Sequence, residues 1–312
     1  MSVLLESLSA PLAESMDLDR AVLETLAYSD VFDYPLRLDE LHLYLPVRAT
    51  TQQLSFELAK DSPLIGSRDG FYFLAGRSSI VNVRARREHR SKPVLKTAFQ
   101  LGRVLGRLPF IRMVALTGSL AMLNSDDAAD LDYMLVAANG RVWTARAFAL
   151  LFGRLTSRLG YTLCPNLIVA ERALAWRQHD LYSAHEICQM LPITGLQTYK
   201  QLRCINAWTG DFLPNASGFP SQPDDESKPG YIVQSLAEWA LRGQLGNLFE
   251  NWEMQRKVAR FSRQEGFGDE TRFDVDVCQG NFDHHRAQTR SALRQRLQEL
   301  GVQPSTGALP LE

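Results

Sequence analysis

Two pairs of residues between positions 116 and 137 have types and a spacing that suit chemistry on a phosphate. Gly118 and Ser119 end one apolar run, and Asp130 and Asp132 open the next with one residue between them. A carboxylate at the start of a buried strand is costly unless something pairs with it. Because side chains alternate along a strand, the two aspartates share one face and can hold one hard cation such as Mg²⁺.

Gly118 and Ser119 lie where the pattern predicts a strand turning into a short helix. Glycine lets the backbone approach a ligand closely, and the free N–H groups at a helix start attract an anion. A cation site and an anion site on adjacent strands suit a nucleoside triphosphate bound through Mg²⁺. The alternative is that Asp130 and Asp132 are structural and form ion pairs with a local arginine such as Arg112.

The elements that must position these residues follow an alternating pattern from 108 to 175. Apolar runs predict strands, and longer periodic segments predict helices. The expected elements are strands over 111–118, 130–137 and 161–171, a short helix over 119–123 and an amphipathic helix over 141–160. We therefore expect a small mixed sheet in this region.

Residues 1–76 predict a small helical unit closed by a hairpin. The expected elements are helices over 19–30, 37–45 and 50–61 and two short strands within 64–76. Three helices and then a hairpin is the order of a winged helix-turn-helix. The third helix carries one cation, Lys60, whereas a helix that reads DNA brings several, so a packing or protein-contact module is the alternative.

Residues 77–107 are strongly basic. Nine lysine and arginine residues stand against Glu88 alone, a local excess of eight charges. We expect one or two connecting helices with a basic face. That face is either simply solvated or attracts polyphosphate or nucleic acid.

Residues 176–312 show mostly helical periodicity, interrupted by a loop at 214–230 that is rich in Pro, Ser, Gly and Asp. Tyr199 and Asn206 are candidate cleft residues on one of these helices, with core packing as the alternative. Arg146, on the helix after the second strand, is a candidate phosphate ligand, with a surface arginine or one paired with an aspartate as the alternative.

The overall composition favours no class of partner. The chain has 312 residues and a net charge of −1, and no apolar run approaches the roughly 18–20 residues that span a bilayer. Residues 1–19 contain no basic n-region, and the four cysteines are widely spaced, as is usual for reduced thiols. We expect a cytoplasmic protein without a membrane partner.

The glycine-serine pair followed by Asp-x-Asp on the next strand resembles the signature of the polymerase-β-like nucleotidyltransferase superfamily. The segments YSDVFDYPL, TGSLA, GRVWTAR and CPN extend the likeness. They resemble an uncharacterised bacterial group of nucleotidyltransferase-domain proteins with an N-terminal winged helix. The resemblance implies an α+β fold with a winged-helix module at 1–76, a basic connecting helix at 77–107, a mixed-sheet nucleotidyltransferase core at 108–175 and a helical C-terminal domain at 176–312.

The resemblance also implies an activity. An NMP would move from an NTP, such as ATP, to an unidentified acceptor, which is a small molecule, a protein or RNA. Asp130 and Asp132 would be the catalytic residues and the ligands of Mg²⁺ or Mn²⁺, while Gly118 and Ser119 would grip the terminal phosphates.

The chain departs from the family at the third carboxylate, which active members carry on a later strand. The central polar residue of that strand is Asn166. The candidate substitutes are Glu171, at the end of that strand, and Asp126 and Asp127, in the loop before the strand that begins at Asp130. The alternative is that the protein senses a nucleotide, or binds DNA or a partner, and that its nucleotidyltransferase core is degenerate.

Overall fold

The structure is a computed structural model that describes residues 18–125, 130–218 and 231–303. Helices and strands are mixed along the chain, which confirms the predicted α+β class. In chain order the elements are α1 (18–30), β1 (Leu36–Arg37), α2 (Leu38–Leu43), α3 (Thr51–Leu58), β2 (Ile65–Arg68), β3 (Phe71–Leu74), α4 (Ile80–Leu105), β4 (Ile111–Leu116), α5 (Gly118–Ala121), β5 (Asp130–Ala137), α6 (Val142–Ser157), β6 (Thr162–Ala170), α7 (Leu181–Gln189), β7 (Leu191–Thr194), α8 (Leu196–Ile205), α9 (Thr209–Phe212), α10 (Tyr231–Leu241), α11 (Gln244–Phe261), β8 (Thr271–Phe273), β9 (Val277–Gly280) and α12 (His285–Glu299).

A six-stranded mixed sheet with the order β7-β4-β5-β6-β9-β8 forms the centre of the fold. β5 runs parallel to β6, and the other neighbouring pairs are antiparallel. β4, β5 and β6 are the strands that the sequence predicts. The mostly helical region from 176 onward also supplies β7, β8 and β9, so the sheet extends past residue 175. These strands have only three or four residues, too few to show an alternating pattern.

The two faces of the sheet carry different cores. Leu131, Tyr133 and Leu135 of β5 pack with residues of α4, α6 and α11 on one face. Met134 and Val136 pack with residues of α7 and α8 on the other face. Because alternate residues of a strand share a face, Asp130 and Asp132 lie on the α7 side of the sheet.

The N-terminal unit has the predicted three helices followed by an antiparallel hairpin, with β1 added beside β3. Thr50 caps α3 by accepting a hydrogen bond from the backbone N–H of Gln53. Asp69 and Gly70 both adopt a positive φ in the hairpin turn. Whether this unit reads DNA stays a prediction.

The basic segment forms a single helix, α4, that runs without a break through Pro93. Not all of its cations face solvent. Arg84 is buried and its guanidinium donates to both carboxylate oxygens of Glu40, at 2.6 and 2.8 Å, while it stacks on the ring of Tyr34. This cation therefore anchors α4 to the N-terminal unit and does not belong to the basic face. No described helix combines the length and the apolar character that crossing a bilayer requires.

Candidate functional site

A cavity of about 720 Å³ lies where the start of β5 meets the N-terminal unit, α7 and the start of α12. The residues that the sequence analysis singled out for their spacing, Gly118, Ser119, Asp130 and Asp132, all line it, and Asn166 joins them. Cavities of this size hold small-molecule ligands.

The register of β5 determines which side chains reach this cavity. Leu131 and Tyr133 are completely buried on the opposite face of the sheet, and the hydroxyl of Tyr133 donates to the carbonyl oxygen of Ala98 at 2.7 Å. A shift by one residue would expose both side chains and bury the two aspartates. The burial of the apolar residues therefore holds the carboxylates of Asp130 and Asp132 in the cavity.

Asp132 is partly buried beside a second carboxylate. Burial is the main cause that raises the pKa of Asp132 to about 6, and the charge of Asp130 raises it further. A hydrogen bond of 2.8 Å from Nδ2 of Asn166 to Oδ1 opposes the shift. No described lysine or arginine forms an ion pair with either aspartate. The expected partner, Arg112, instead binds both carboxylate oxygens of Glu238, so a structural pair with Arg112 was the wrong alternative.

Gly118 brings the backbone directly against the carboxylate of Asp132. Its φ is +69°, in the left-handed region, and a Cβ at this position would stand 2.5 Å from Oδ2 of Asp132. Such a distance is shorter than any real contact, so only glycine fits here without displacing the carboxylate. The glycine-serine turn and the aspartates are therefore adjacent in space as well as in the sequence pattern.

This contact leads to a prediction for Gly118→Ala. We expect the substitution to lose about 1–2 kcal/mol to left-handed strain and to displace the carboxylate of Asp132, which a stability measurement in urea and a ligand-binding measurement would detect. Gly140→Ala is the matched control, because Gly140 has the same φ of +69° with no atom near its virtual Cβ. Equal losses of stability and binding in the two variants would contradict a specific role for the contact.

Asn166 occupies the position of the expected third carboxylate because β6 contains a bulge. Tyr133 pairs with Pro165 and Met134 with Leu167, so Asn166 is an extra residue in β6. A bulge redirects a side chain. Here it directs the amide group to Asp132.

The other candidates for a third acid do not meet the aspartates in the described structure. Glu171 follows the end of β6 that lies beside Ala137, whereas Asp130 pairs with the opposite end of β6, at Thr162. Glu171 thus lies beyond the end of β6 that is distant from Asp130 and Asp132. Asp126 and Asp127 fall outside the described residues.

Arg146 does not line the cavity. It lies on α6, on the opposite face of the sheet from Asp132, where its guanidinium stands 5.1 Å from the ring centroid of Phe261. The helical spacing alone could not show which face of the sheet α6 would cover. Arg146 is therefore not placed to contact a phosphate bound in this cavity.

Tyr199 and Asn206 serve packing. Tyr199 is completely buried, and its hydroxyl accepts a hydrogen bond from Arg203. The amide of Asn206 donates to the carbonyl oxygens of Leu174 and Leu202 and accepts from the backbone N–H of Trp176. For these two residues the core alternative is correct.

Glu186 on α7 is a cavity residue that sequence reasoning missed. Burial and the nearby charge of Asp132 raise its pKa to about 7, and no described residue forms an ion pair or a hydrogen bond with its carboxylate. Its neighbour His185 is buried and stacks on Tyr28 at 4.0 Å, and burial lowers the pKa of His185 to about 3. The feature of the sequence that could have indicated Glu186 is that it is the one acid of α7, a helix whose other face is apolar.

The start of α12 supplies the positive groups of the cavity. The backbone N–H groups of Arg286 and Ala287 donate to the carboxylate of Glu270, and Nη1 of Arg286 lies 3.3 Å from Asp180. His285 is exposed at the cavity, and its charge lowers the pKa of Asp132 slightly. Cys278 is buried in the core of the other face of the sheet and does not line the cavity.

The donor set fits a hard divalent cation. Among the described residues, no group of three or more His, Cys, Asp and Glu side chains is placed to hold a metal ion. Mg²⁺, however, takes one or two protein carboxylates and completes its shell with water and phosphate oxygens. Two carboxylates that form no ion pair with a described lysine or arginine, next to a glycine turn, match that requirement.

Comparison of the chain with protein-family models, curated proteins and solved structures finds no match. The function must therefore be inferred from the side chains that line the cavity. Its carboxylates outnumber its cations, because Arg286 already faces Asp180 and Glu270. A ligand that brings positive charge, such as a metal cation, would therefore suit this site.

Proposed function

We propose that the cavity binds a nucleoside triphosphate together with Mg²⁺ or Mn²⁺ and that the chain transfers the NMP to an acceptor. The observation that carries this proposal is the contact between the Gly118 turn and the carboxylate of Asp132, beside Asp130 and without an ion pair from any described lysine or arginine. Close approach of backbone suits a phosphate, and a phosphate approaches two carboxylates only with a divalent cation between them.

Each residue of the turn and of β5 has a distinct task in this proposal. Asp130 and Asp132 would hold Mg²⁺, which supplies charge neutralisation at the phosphates when bound. The backbone at Gly118 and Ser119 would grip the terminal phosphates and orient the α-phosphorus toward the acceptor. An acceptor oxygen then forms a bond to the α-phosphorus, the bond to the bridging oxygen breaks, and pyrophosphate leaves with that electron pair.

The acceptor must also lose a proton, and Glu186 is the group in place to take it. Its carboxylate faces the cavity from α7 without a hydrogen-bond partner among the described residues. A base is most effective when its pKa lies near the working pH, and burial moves the pKa of Glu186 to about 7. We therefore propose that a helix, and not the third strand, supplies the missing carboxylate.

A nucleotide sensor without transferase activity is the second candidate, and Asn166 favours it. An amide is no base, and this one already donates to Asp132. In a sensor, Glu186 would have no proton to accept, so its removal would leave every nucleotide-dependent property unchanged.

Calorimetric titration with ATP, GTP, CTP and UTP, with and without Mg²⁺, tests the proposal. We expect the wild-type protein to bind an NTP only with Mg²⁺, and the Asp130→Asn/Asp132→Asn double variant to lose this binding. Glu171→Gln is a control for the charge change, because Glu171 lies beyond the other end of the sheet. Binding that persists in the double variant would overturn the assignment of these aspartates.

A further inference from the structure

The adjoining parts of α10 and α11 bury polar residues and expose large apolar ones. The buried polar residues are Gln234 and Glu238 of α10 and Glu250 and Glu253 of α11. The exposed large apolar residues of the same two helices are Leu236, Trp239, Leu245, Leu248, Phe249 and Trp252. A helix on the surface of a globular protein normally shows the reverse pattern. This side of the two helices therefore has the composition of a surface that another molecule covers.

Hydrogen bonds from the buried acids hold the two helices in this orientation. Glu238 binds the guanidinium of Arg112 at 2.8 and 2.9 Å. Glu250 accepts from the backbone N–H groups of Trp143 and Thr144 at 2.9 and 2.7 Å. Rotation of either helix to bury its apolar side would break these contacts and leave buried donors without an acceptor. The apolar side therefore stays outward.

Four of the exposed residues form a stripe along α11 whose spacing is symmetric. We call Leu245, Leu248, Phe249 and Trp252 the apolar stripe. At 100° per residue they fall within about 100° of arc. The spacing is the same in both directions, because each outer member lies three residues from the nearer inner one. A second α11 laid antiparallel on the first would pair Leu245 with Trp252 and Leu248 with Phe249, each pair twice.

No exposed charge interrupts the apolar stripe. Between positions 243 and 255 the only charged residues of the chain are Glu250 and Glu253, and both are buried. Arg242 and Arg256 flank the stripe, and each is paired with a buried glutamate of the same chain, at 3.7 and 2.5 Å. The core of a protein interface is depleted of charge and rich in aromatic residues, whereas its rim is polar. Two stripes can therefore meet without placing unpaired like charges against each other.

The exposed apolar area is also large enough for a stable interface. Weighted by exposed fraction, with roughly 100 Å² for a leucine and roughly 200 Å² for an aromatic side chain, the six exposed residues offer about 500 Å². The largest apolar patch of a typical monomer covers roughly 300–600 Å². Because apolar atoms supply roughly 60% of an interface, about 500 Å² corresponds to about 800 Å² on each partner, the area that stable complexes commonly bury.

We infer that the chain forms a symmetric dimer in which the apolar stripes of two copies pack antiparallel on each other. The occupant is a second copy, because a stripe that is neutral and symmetric about its own centre is complementary to itself. Leu236 and Trp239 also face away from the body of the protein and extend the contact.

The dimer does not rest on the proposed nucleotidyl transfer. No described residue of α10 or α11 lines the cavity that holds Asp130 and Asp132. The apolar residues of α11 that are partly buried pack with α6 on the other face of the sheet. Dimerisation therefore leaves both cavities open.

Sedimentation velocity over a series of protein concentrations tests the dimer. We expect a mass of about 70 kDa for the wild type, twice the 35.1 kDa of one chain. Leu248→Glu places two carboxylates beside the symmetry axis and should weaken association roughly 100-fold or more. Phe56→Glu is the matched control, because Phe56 lies on α3 and is 73% exposed, against 65% for Leu248. It should associate like the wild type.

Mixing Leu248→Glu with Leu248→Lys tests the antiparallel register. In this register the two copies of residue 248 lie next to each other across the axis, so opposite charges meet only in the mixed dimer. We expect each variant alone to sediment as a monomer and the equimolar mixture to recover the dimer. Circular dichroism checks the fold of both variants, which should match the wild type because the position is exposed and leucine, glutamate and lysine have similar helix propensities.

Three results overturn the inference. One is a wild type that stays monomeric at about 100 μM, since standard interfaces bind in the micromolar range or tighter. Another is a dimer that Leu248→Glu and Phe56→Glu weaken equally or not at all, which would assign association to a different surface. The third is a mixture that stays monomeric although both variants are folded, which would exclude the antiparallel packing of the stripes.

Discussion

Replacement of Asp132 by asparagine is expected to stabilise the metal-free protein and, at the same time, to remove its response to Mg²⁺ and NTP. The stabilisation comes from removal of the partly buried charge of Asp132, which forms no ion pair with a described lysine or arginine. After allowance for partial solvent screening, the raised pKa corresponds to about 2 kcal/mol of unfolding free energy at pH about 8. Thermal or urea unfolding in the presence of a chelator measures it.

The pH dependence of this difference follows from the direction of the shift. The pKa of Asp132 is about 6 in the folded protein, above its ordinary value of 3.8, so between these values the folded state binds more protons than the unfolded state. The stability of the wild type therefore falls as pH rises through this window, and the cost is complete above pH about 6. The variant lacks this dependence, so the two proteins should be equally stable near pH 4.

Asp130→Asn is the matched control for stability, because Asp130 carries the same charge two residues earlier on the same strand face, but its side chain is exposed. We expect it to change stability by about 0.5 kcal/mol or less. Both variants should lose roughly 100-fold or more in Mg²⁺-dependent NTP affinity if both aspartates hold the cation. An Asp132→Asn variant that is less stable than the wild type above pH about 6 would contradict the description of Asp132 as an uncompensated buried charge.

The site could be predicted from sequence where it depends on strand periodicity. Asp130 and Asp132 alternate with the buried Leu131 and Tyr133, so their common face follows from a period of two. Gly118 could be predicted because a turn between a strand and a helix needs a residue that tolerates positive φ. These local rules were enough to bring four residues to one cavity.

The rest of the site depends on contacts between segments that are distant in the chain. The bulge that directs Asn166 to Asp132 appears only when β6 is paired with β5. Glu186 reaches the cavity because α7 packs on the face of the sheet that carries Asp130 and Asp132. Arg146 does not reach it, because α6 packs on the other face. Periodicity shows that a helix has a buried face, but not which face of the sheet it will cover.

Glu186→Gln should separate catalysis from binding. Loss of a general base costs roughly 10²–10⁴ in rate, whereas the Mg²⁺-dependent affinity for NTP should stay within a few-fold, because Asp130, Asp132 and the Gly118 turn are retained. Pyrophosphate release from ATP and Mg²⁺, with water or an oligonucleotide as the acceptor, measures the rate, and calorimetry measures the affinity. A lower kcat at unchanged affinity would distinguish a proton acceptor from a residue that merely shapes the cavity.

The pH profile provides a signature that a structural role would not produce. The carboxylate of Glu186 is the active form of a base, so the rate of the wild type should rise with pH and level off above the pKa, which is about 7 without a bound cation. Neutralisation of Asp132 by Mg²⁺ removes one of the two causes of the shift but leaves burial, the larger one, so the midpoint in the loaded protein should lie below 7. The Gln variant should lack this rising limb.

Glu171→Gln is the decisive comparison, because Glu171 is a candidate substitute for the third carboxylate by sequence and the structure places it beyond the far end of β6. We expect Glu171→Gln to keep the rate and the pH profile of the wild type. If Glu171→Gln lost the rising limb while Glu186→Gln kept it, the base would be assigned to the wrong element. If both variants kept it, transfer would not depend on either acid, and another group would have to take the proton of the acceptor.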